Sequence, residues 1–389
     1  MKKKIAIIGA GISGLTFASF LAKDLKYDFT IYEQKSSLDL SEGYGIQLST
    51  NSVSILNKID FKNLKADNKF NPKKIDFYLL KNNDKICDLD IAQFNSKDIC
   101  YTTLKRSLLI EFLKEKLLTN SIQFNKKVEK INYSKSKIEI SFGNDNTDIF
   151  DYLVIADGVF SLTKLILFSD NIKPKYSGSL AIRALMKKNN LKFLNKSNIS
   201  LFLGSKMHLV AYATDVKSEF NLVAIIRKNL NKKNLSDDNF FHDKENIRKL
   251  IKDSSIQKND ELKNLFDNIK NIKCFPTFIS DKIHQLNQKN TFLLGDAFYA
   301  LLPTFAQGAS QSIESAYELF NTLNENNLNK YFSSRAERIK IVNRRSKFNY
   351  YLFHLSNPIF VFIRNLVLKF ATKNKSFLNK YLGQIYSRN

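Results

Sequence analysis

The first elements can be read from the alternation of apolar and polar positions. Ile5 to Ile8 is an apolar run of strand length, broken by Gly9-Ala10-Gly11. Leu15, Ala18 and Leu21-Ala22 then recur at the spacing of a helix with one buried face. A second apolar run, Phe29 to Tyr32, ends in Glu33. Strand, glycine turn, helix and strand in that order predict a βαβ-type opening. Two later apolar runs also stop at a carboxylate: one ends at Asp157-Gly158, the other at Gly295-Asp296. Between them, "HLVAYATD" and "FNLVAIIR" alternate as half-buried strands do. Residues 236–272 carry Ile247, Leu250, Ile251 and Leu262, Leu265, Phe266 at helical spacing, and the chain after about 330 reads as helices.

The opening carries chemistry as well as shape. Gly9, Gly11 and Gly14 fit G-x-G-x-x-G, with Ser13 beside the third glycine, and Glu33 lies about 20 residues further on. The first glycine permits the tight turn, the second lets backbone approach a pyrophosphate, and the third lets helix pack on strand. The unpaired N–H groups at the helix start attract phosphate. An acid at Glu33 accepts from ribose hydroxyls and repels a 2′-phosphate, which predicts NAD or FAD rather than NADP. A basic head followed by an apolar run also resembles a signal peptide, but that reading leaves Glu33 without a role.

Composition narrows the classes. The 389 residues allow two or three domains, with 43% hydrophobic and 25% charged residues. The formal charge is +24, but the lysines are spread along the chain among Asn, Ile and Phe, and no zinc spacing or RNA-binding motif accompanies them. No nucleic-acid partner is expected. Cys87, Cys100 and Cys274 are too far apart for a disulfide framework or a metal site, which predicts a reducing, cytoplasmic setting. No uncharged apolar run is long enough to span a bilayer.

With the three glycines, Glu33, Asp157-Gly158 and Gly295-Asp296 in place, the chain resembles the single-component FAD-dependent aromatic hydroxylases, the para-hydroxybenzoate hydroxylase type. That family's D-G-x-x-S-x-x-R motif matches Asp157, Gly158 and Ser161, with Lys164 in place of the Arg. Its Gly-Asp motif matches Gly295-Asp296 with Pro303 and Gln307-Gly308-Ala309 following, but Phe298-Tyr299 stands where the family usually has Ala-His. "GYGIQLSTNSVSIL", "LKRSLLIEFL", "YSGSLAIRALM" and "LFLGSKMHLVAYATD" resemble segments of the salicylate hydroxylase-like branch. The resemblance implies an α/β fold: a Rossmann-like FAD domain with a β-sheet substrate domain and C-terminal helices. The FAD domain is expected in pieces over 1–70, 101–165 and 280–345, the substrate domain over 71–100 and 170–280, and a helical tail over 346–389. FAD contacts are implied for Gly9, Gly11, Ser13, Gly14, Glu33, Gly45, Arg106, Asp157, Gly158, Asp296, Pro303, Gly308 and Ala309. Asp296 would accept from the ribityl chain, and the helix after Gln307 would face the flavin pyrimidine.

The implied reaction uses NADH or NADPH and O2 to hydroxylate a small, aromatic or phenolic substrate through a flavin C4a-hydroperoxide. No second glycine fingerprint marks a nicotinamide site, so the choice of nucleotide stays open. Phenol hydroxylation calls for a base. His208 and Tyr212 share one face of a strand, and the resemblance puts them in the substrate pocket, His208 as base. Arg183 is a second candidate for a substrate carboxylate, while His354 reads as tail packing. Two other readings of the fold are a reductase of isoprenoid chains and a hydroxylase of a lipid quinone precursor. A third is a redox sensor that binds FAD without turnover. The tail mixes aromatic, aliphatic and cationic residues, which fits packing, a homodimer contact or peripheral membrane contact.

Overall fold

The computed structural model describes all residues except 1, 39, 41–43, 135, 144–146, 169–171, 188–193, 217–218, 255, 257–258, 270 and 388–389. Gly43 of the "GYGIQL" segment and part of the Asn/Lys-rich stretch before Asn198 therefore lie outside the described residues.

Strand β1 (Lys3–Ile8) turns through Gly9 into helix α1 (Ile12–Asp24) and strand β2 (Tyr27–Tyr32). β3 (Gly45–Leu48) and α2 (Thr50–Asn57) follow, then the hairpin of β4 (Lys74–Leu79) and β5 (Lys85–Asp90). β6 (Thr102–Lys105) pairs with β3 and runs into α3 (Arg106–Lys114). β7 (Ile122–Gln123) precedes a small meander of β8 (Lys130–Ser134), β9 (Lys137–Ser141) and β10 (Thr147–Phe150), after which come β11 (Tyr152–Ile155) and α4 (Leu162–Phe168). The long β12 (Lys175–Lys187) leads to β13 (Ile199–Leu203), β14 (Met207–Ala213) and β15 (Glu219–Arg227). Short helices α5 (Lys232–Leu235), α6 (Asp238–His242), α7 (Lys244–Lys252) and α8 (Asp260–Asp267) precede β16 (Ile272–Ile279) and β17 (Thr291–Leu293). The chain then becomes helical: α9 (Gly295–Phe298), α10 (Gly308–Asn324), α11 (Leu328–Phe353) and α12 (Pro358–Ala371), with short turns to residue 386.

Two sheets organise these elements. The first has the order β17-β11-β1-β2-β7 with every pairing parallel. β1 from Ile5 onward and the whole of β11 are buried, as a parallel sheet covered on both faces requires. Its strands β1, β11 and β17 are adjacent, so the three segments that follow them, the glycine turn, Asp157-Gly158 and Gly295-Asp296, emerge side by side. A crevice at strand ends of this kind is where open α/β sheets bind ligands. The second sheet has the order β16-β12-β15-β14-β13-β4-β5 and draws on residues 74–90 and 175–279. In β14 the side chains divide by alternation: Met207, Leu209 and Ala211 join the core under α6, α7 and α8, while Val210 and Tyr212 join the core shared with the C-terminal helices. The boundary expected at 345 falls inside α11, which carries the chain from the FAD-domain segments to the second sheet without a break.

Candidate functional site

The glycine turn is shaped by contacts that forbid side chains. Gly9 has φ +104, and a Cβ there would lie 2.6 Å from the Ala156 carbonyl oxygen. A Cβ on Gly14 would lie 2.1 Å from the Gly9 carbonyl oxygen, so β1 and α1 can approach only through this residue. Gly11 is different: a Cβ there would meet no protein atom within 4 Å. It is also the uncapped N-cap of α1, so its bare backbone borders a cleft toward which the N-terminal end of α1 opens. Glu33 accepts from the Ala10 N–H at 2.9 Å and from the Lys35 N–H at 3.0 Å, which fixes its carboxylate against the turn. Gly9, Gly11, Glu33, Lys126, Asp157 and Gly158 border a cavity of about 220 Å³.

The other two carboxylates close the same region. Asp157 Oδ2 accepts from the Thr163 N–H at 3.1 Å, whereas Oδ1 is buried without a partner, and burial raises the pKa of the group. Gly158 follows at φ +84 with nothing within 4 Å of a notional Cβ. Lys164, which replaces the expected Arg, is buried and donates to the Ala297 carbonyl at 3.1 Å. It thereby ties the Asp157-Gly158 segment to the Gly295-Asp296 segment. Gly295 has φ +56, and a Cβ there would come within 2.8 Å of Ser13 Oγ and 2.9 Å of Ser312 Oγ. Ser13 thus serves the junction of α1, α9 and α10. Asp296 is exposed at the start of α9, beside the end of β17, with the core of the first sheet packed behind it. The surrounding atoms push its pKa up to about 6, and it has no partner among the described residues. Phe298 and Tyr299 are buried: Phe298 packs on Tyr331 and Phe332, and the Tyr299 hydroxyl accepts from Asn343 of α11 at 2.9 Å. The family's usual Ala-His is replaced here by packing.

Pro303 opens a single tight turn, Ala306 takes φ 51, and Gln307 begins α10 without a side-chain cap. A Cβ on Gly308 would meet no protein atom within 4 Å, and Ala309 packs inward against the first sheet's core. Gln307 and Ser310 are held by Ser49, which joins α10 to the start of α2. Behind them, Arg335 of α11 lies 1% exposed and donates to Glu314, Glu318 and Gln311, and Arg338 also donates to Glu314. Sequence reasoning missed this group. Arg106 opens α3 with its N–H donating to the Tyr44 carbonyl. Gly45 donates to Asn221 Oδ1 at 2.8 Å, and a Cβ there would lie within 2.8 Å of Tyr212, Thr214 and Asn221, so the glycine lets β3 press onto the second sheet.

A second cavity, of about 320 Å³, lies between the second sheet, the Pro303–Ala306 turn and the C-terminal helices. Its walls are mainly apolar, including Phe77, Leu201, Val210, Phe305, Leu352 and Phe353. His208 lines it and is 1% exposed. His208 Nδ1 lies 3.1 Å from His354 Nε2, and His354 Nδ1 lies 2.7 Å from the Tyr350 carbonyl oxygen. A carbonyl only accepts, so His354 carries its proton on Nδ1 and accepts at Nε2. His208 then donates from Nδ1, and its Nε2 is left as a lone-pair nitrogen. Burial, reinforced by His354, holds the His208 pKa well below the usual value, and burial lowers that of His354 to about 4, so both rings are neutral. His354, expected as packing, orients His208. Tyr212 shares the face of His208 but lies outside this cavity's lining; it is packed against β3, and burial raises its pKa. Arg183 stacks on the Tyr44 ring rather than lining the cavity. Arg364 of α12 lines the cavity, is 3% exposed and donates to the Leu352 carbonyl and Asn365. Burial lowers its pKa to about 10, and it has no carboxylate partner among the described residues. Its only signal in the sequence was a single cation inside the apolar run from Ile359 to Leu368.

A parallel sheet with a glycine turn, an acid at the end of β2 and two further carboxylates at one crevice defines a dinucleotide-binding fold of the kind oxidoreductases use. The residues fit FAD in particular. The unpartnered Asp157 oxygen and Asp296 offer acceptors to a hydroxyl-rich chain, and Gly11, Gly158 and Gly308 leave backbone bare along the crevice. Residues 7–38 match the NAD(P)-binding Rossmann-like domain family. The chain is 24% identical to 6-hydroxynicotinate 3-monooxygenase of Pseudomonas fluorescens over 373 residues, covering 92% of this chain and 94% of that one. Klebsiella pneumoniae HpxO, solved with FAD and uric acid, superposes with a TM-score of 0.84 at 17% identity, over 98% of this chain and 96% of that chain. A salicylate hydroxylase substrate complex gives 0.81 at 18%, over 100% and 96%. The chain is thus similar over nearly its whole length to FAD-dependent aromatic monooxygenases, which together with the crevice makes it a flavoprotein oxidoreductase with FAD as cofactor and NAD(P)H as co-substrate.

Proposed function

We propose that this enzyme hydroxylates a small, largely apolar aromatic substrate carrying a phenolic or acidic group, bound in the cavity between the second sheet and the C-terminal helices. The observation that carries the proposal is the neutral, oriented His208 in an otherwise apolar wall. The bound flavin supplies the redox chemistry, taking a hydride from NADH or NADPH and using O2 to add one oxygen atom to the substrate. The protein's part is to hold the ring, exclude water and manage one proton. The apolar walls exclude water and match an aromatic face. His208 Nε2 accepts a hydrogen bond from a phenolic hydroxyl and draws its proton away as the ring becomes nucleophilic. Arg364 supports an anionic group at the α12 wall. Asp157, Asp296 and Glu33 hold the sugar and ribityl hydroxyls, and the starts of α1 and α10 face the pyrophosphate and the flavin pyrimidine.

The test is a screen of phenolic acids and apolar phenols for stimulation of NAD(P)H oxidation, with products checked by mass for the gain of one oxygen. His208→Ala is expected to leave FAD bound and reducible while peroxide replaces hydroxylated product. Coupled turnover equal to the wild type would refute the role of His208.

A further inference from the structure

The helix that walls the cavity has a second face. On α12, Ile359, Phe362, Ile363, Leu366, Val367 and Phe370 follow the spacing of a single helical stripe, and all are 38–75% exposed. The opposite side carries the buried Arg364 and the half-buried Val361 and Leu368. A surface helix ordinarily turns its polar side to water; this one turns an apolar stripe to it and its one arginine inward. The six side chains expose on the order of 600 Å² of apolar surface, at or above the largest patch a soluble monomer ordinarily leaves uncovered.

Charge selects what covers it. From residue 338 to the end the sequence has eleven Lys or Arg and no Asp or Glu. Lys369 lies on α12 itself and Lys373, Lys375 and Lys380 follow it directly in the chain, and all four are exposed. A second copy would bring the same positive charge against itself, whereas an anionic bilayer complements both the stripe and its rim. No helix among the described residues is long and apolar enough to cross a membrane. A 14-residue helix suits a position in the interface plane. The patch is also continuous with the cavity: Phe348, Val367 and Phe377 line it and are about half exposed. The mouth therefore opens within the face that would meet lipid.

We infer that α12 seats the enzyme on an anionic membrane surface and that lipophilic phenols enter the cavity from the bilayer through the gap beside Val367. The entry route rests on the function proposed above; the seating does not. The test is co-sedimentation of the FAD-loaded full-length enzyme with vesicles of phosphatidylcholine, alone or mixed with phosphatidylglycerol. The mixed vesicles are expected to bind the enzyme in a salt-sensitive manner, and Phe362→Ser with Phe370→Ser lowers binding by about tenfold or more. Flavin content and NAD(P)H oxidation without vesicles stay unchanged in that variant. Lys369→Glu with Lys373→Glu weakens binding to the mixed vesicles. No binding to mixed vesicles, or equal binding to both kinds, overturns the seating. So does a dimer in sedimentation velocity that the Phe variant dissolves while vesicle binding persists. Seating that survives while no lipophilic phenol is turned over would refute the entry route alone.

Discussion

Asp296→Asn is expected to remove most of the acid sensitivity of FAD binding. In the apoprotein, desolvation by the surrounding protein raises the Asp296 pKa to about 6. In the proposed pose the ribityl hydroxyls would donate hydrogen bonds that favour the ionised carboxylate, so bound FAD would draw this value back toward or below the ordinary carboxylate range of about 3.9. Binding then releases a proton wherever the apoprotein carboxyl is protonated. Affinity is full above the apoprotein value and falls as pH drops through it. At about pH 5 roughly one carboxyl in ten is ionised, which sets a ceiling of about tenfold on the loss of affinity relative to pH 7. Asp296 is exposed and solvent screens the effect, so the expected loss is about three- to tenfold. Asp157, also raised by burial, adds in the same direction and leaves the Asn variant a residual slope. The apoprotein's own stability responds with the opposite sign. An acid with a raised folded pKa stabilises the fold at low pH, and that contribution is lost as pH rises through about 6. Flavin fluorescence quenching on titrating deflavinated protein with FAD, at about pH 5, 6 and 7, measures the effect. The same pH dependence in wild type and Asp296→Asn would refute the argument that this carboxylate meets the ribityl chain.

Two further perturbations test the frame behind the site. Arg335→Leu takes the Arg335 guanidinium away from the buried Glu318 but leaves Glu314 with Arg338, so the cost is expected at the low end for a broken buried pair, about 3 kcal/mol. For a chain of this length that is a fall in Tm of about 4 °C in a thermal melt, and an unchanged Tm would contradict the pairing. Gly14→Ala places a methyl 2.1 Å from the Gly9 carbonyl oxygen, a clash with backbone that costs about 3 kcal/mol and forces α1 away from the glycine turn. The protein is expected to purify with little flavin, read from its flavin-to-protein absorbance ratio; full occupancy would show that the turn tolerates the displacement.

What the sequence disclosed follows a physical division. Gly9, Gly14 and Gly295 were legible because each stands where local backbone geometry or a close approach excludes a side chain, and such constraints leave a mark at the residue itself. Strand alternation placed His208 and Tyr212 on one face, as the fold has them, but it could not say that only His208 of the two reaches the cavity, since that depends on how β3 packs over Tyr212. His354 was not legible, because its role depends on the tail helix crossing β14, a contact between residues 146 apart. The same holds for Arg335 and Glu314, joined only when α11 packs on α10. Arg364 was hidden for another reason. A lone cation in an apolar run reads as a tolerated interruption until the fold shows which side of the helix it occupies. Once α12 is placed, the run's two faces separate: Arg364 turns to the cavity, while Ile359, Phe362 and Phe370 turn to the outside. An apolar segment with one buried arginine is then not an irregular packing helix but a wall with two working sides. Under the function and seating proposed above, the inner side receives the polar end of the substrate and the outer side meets the lipid.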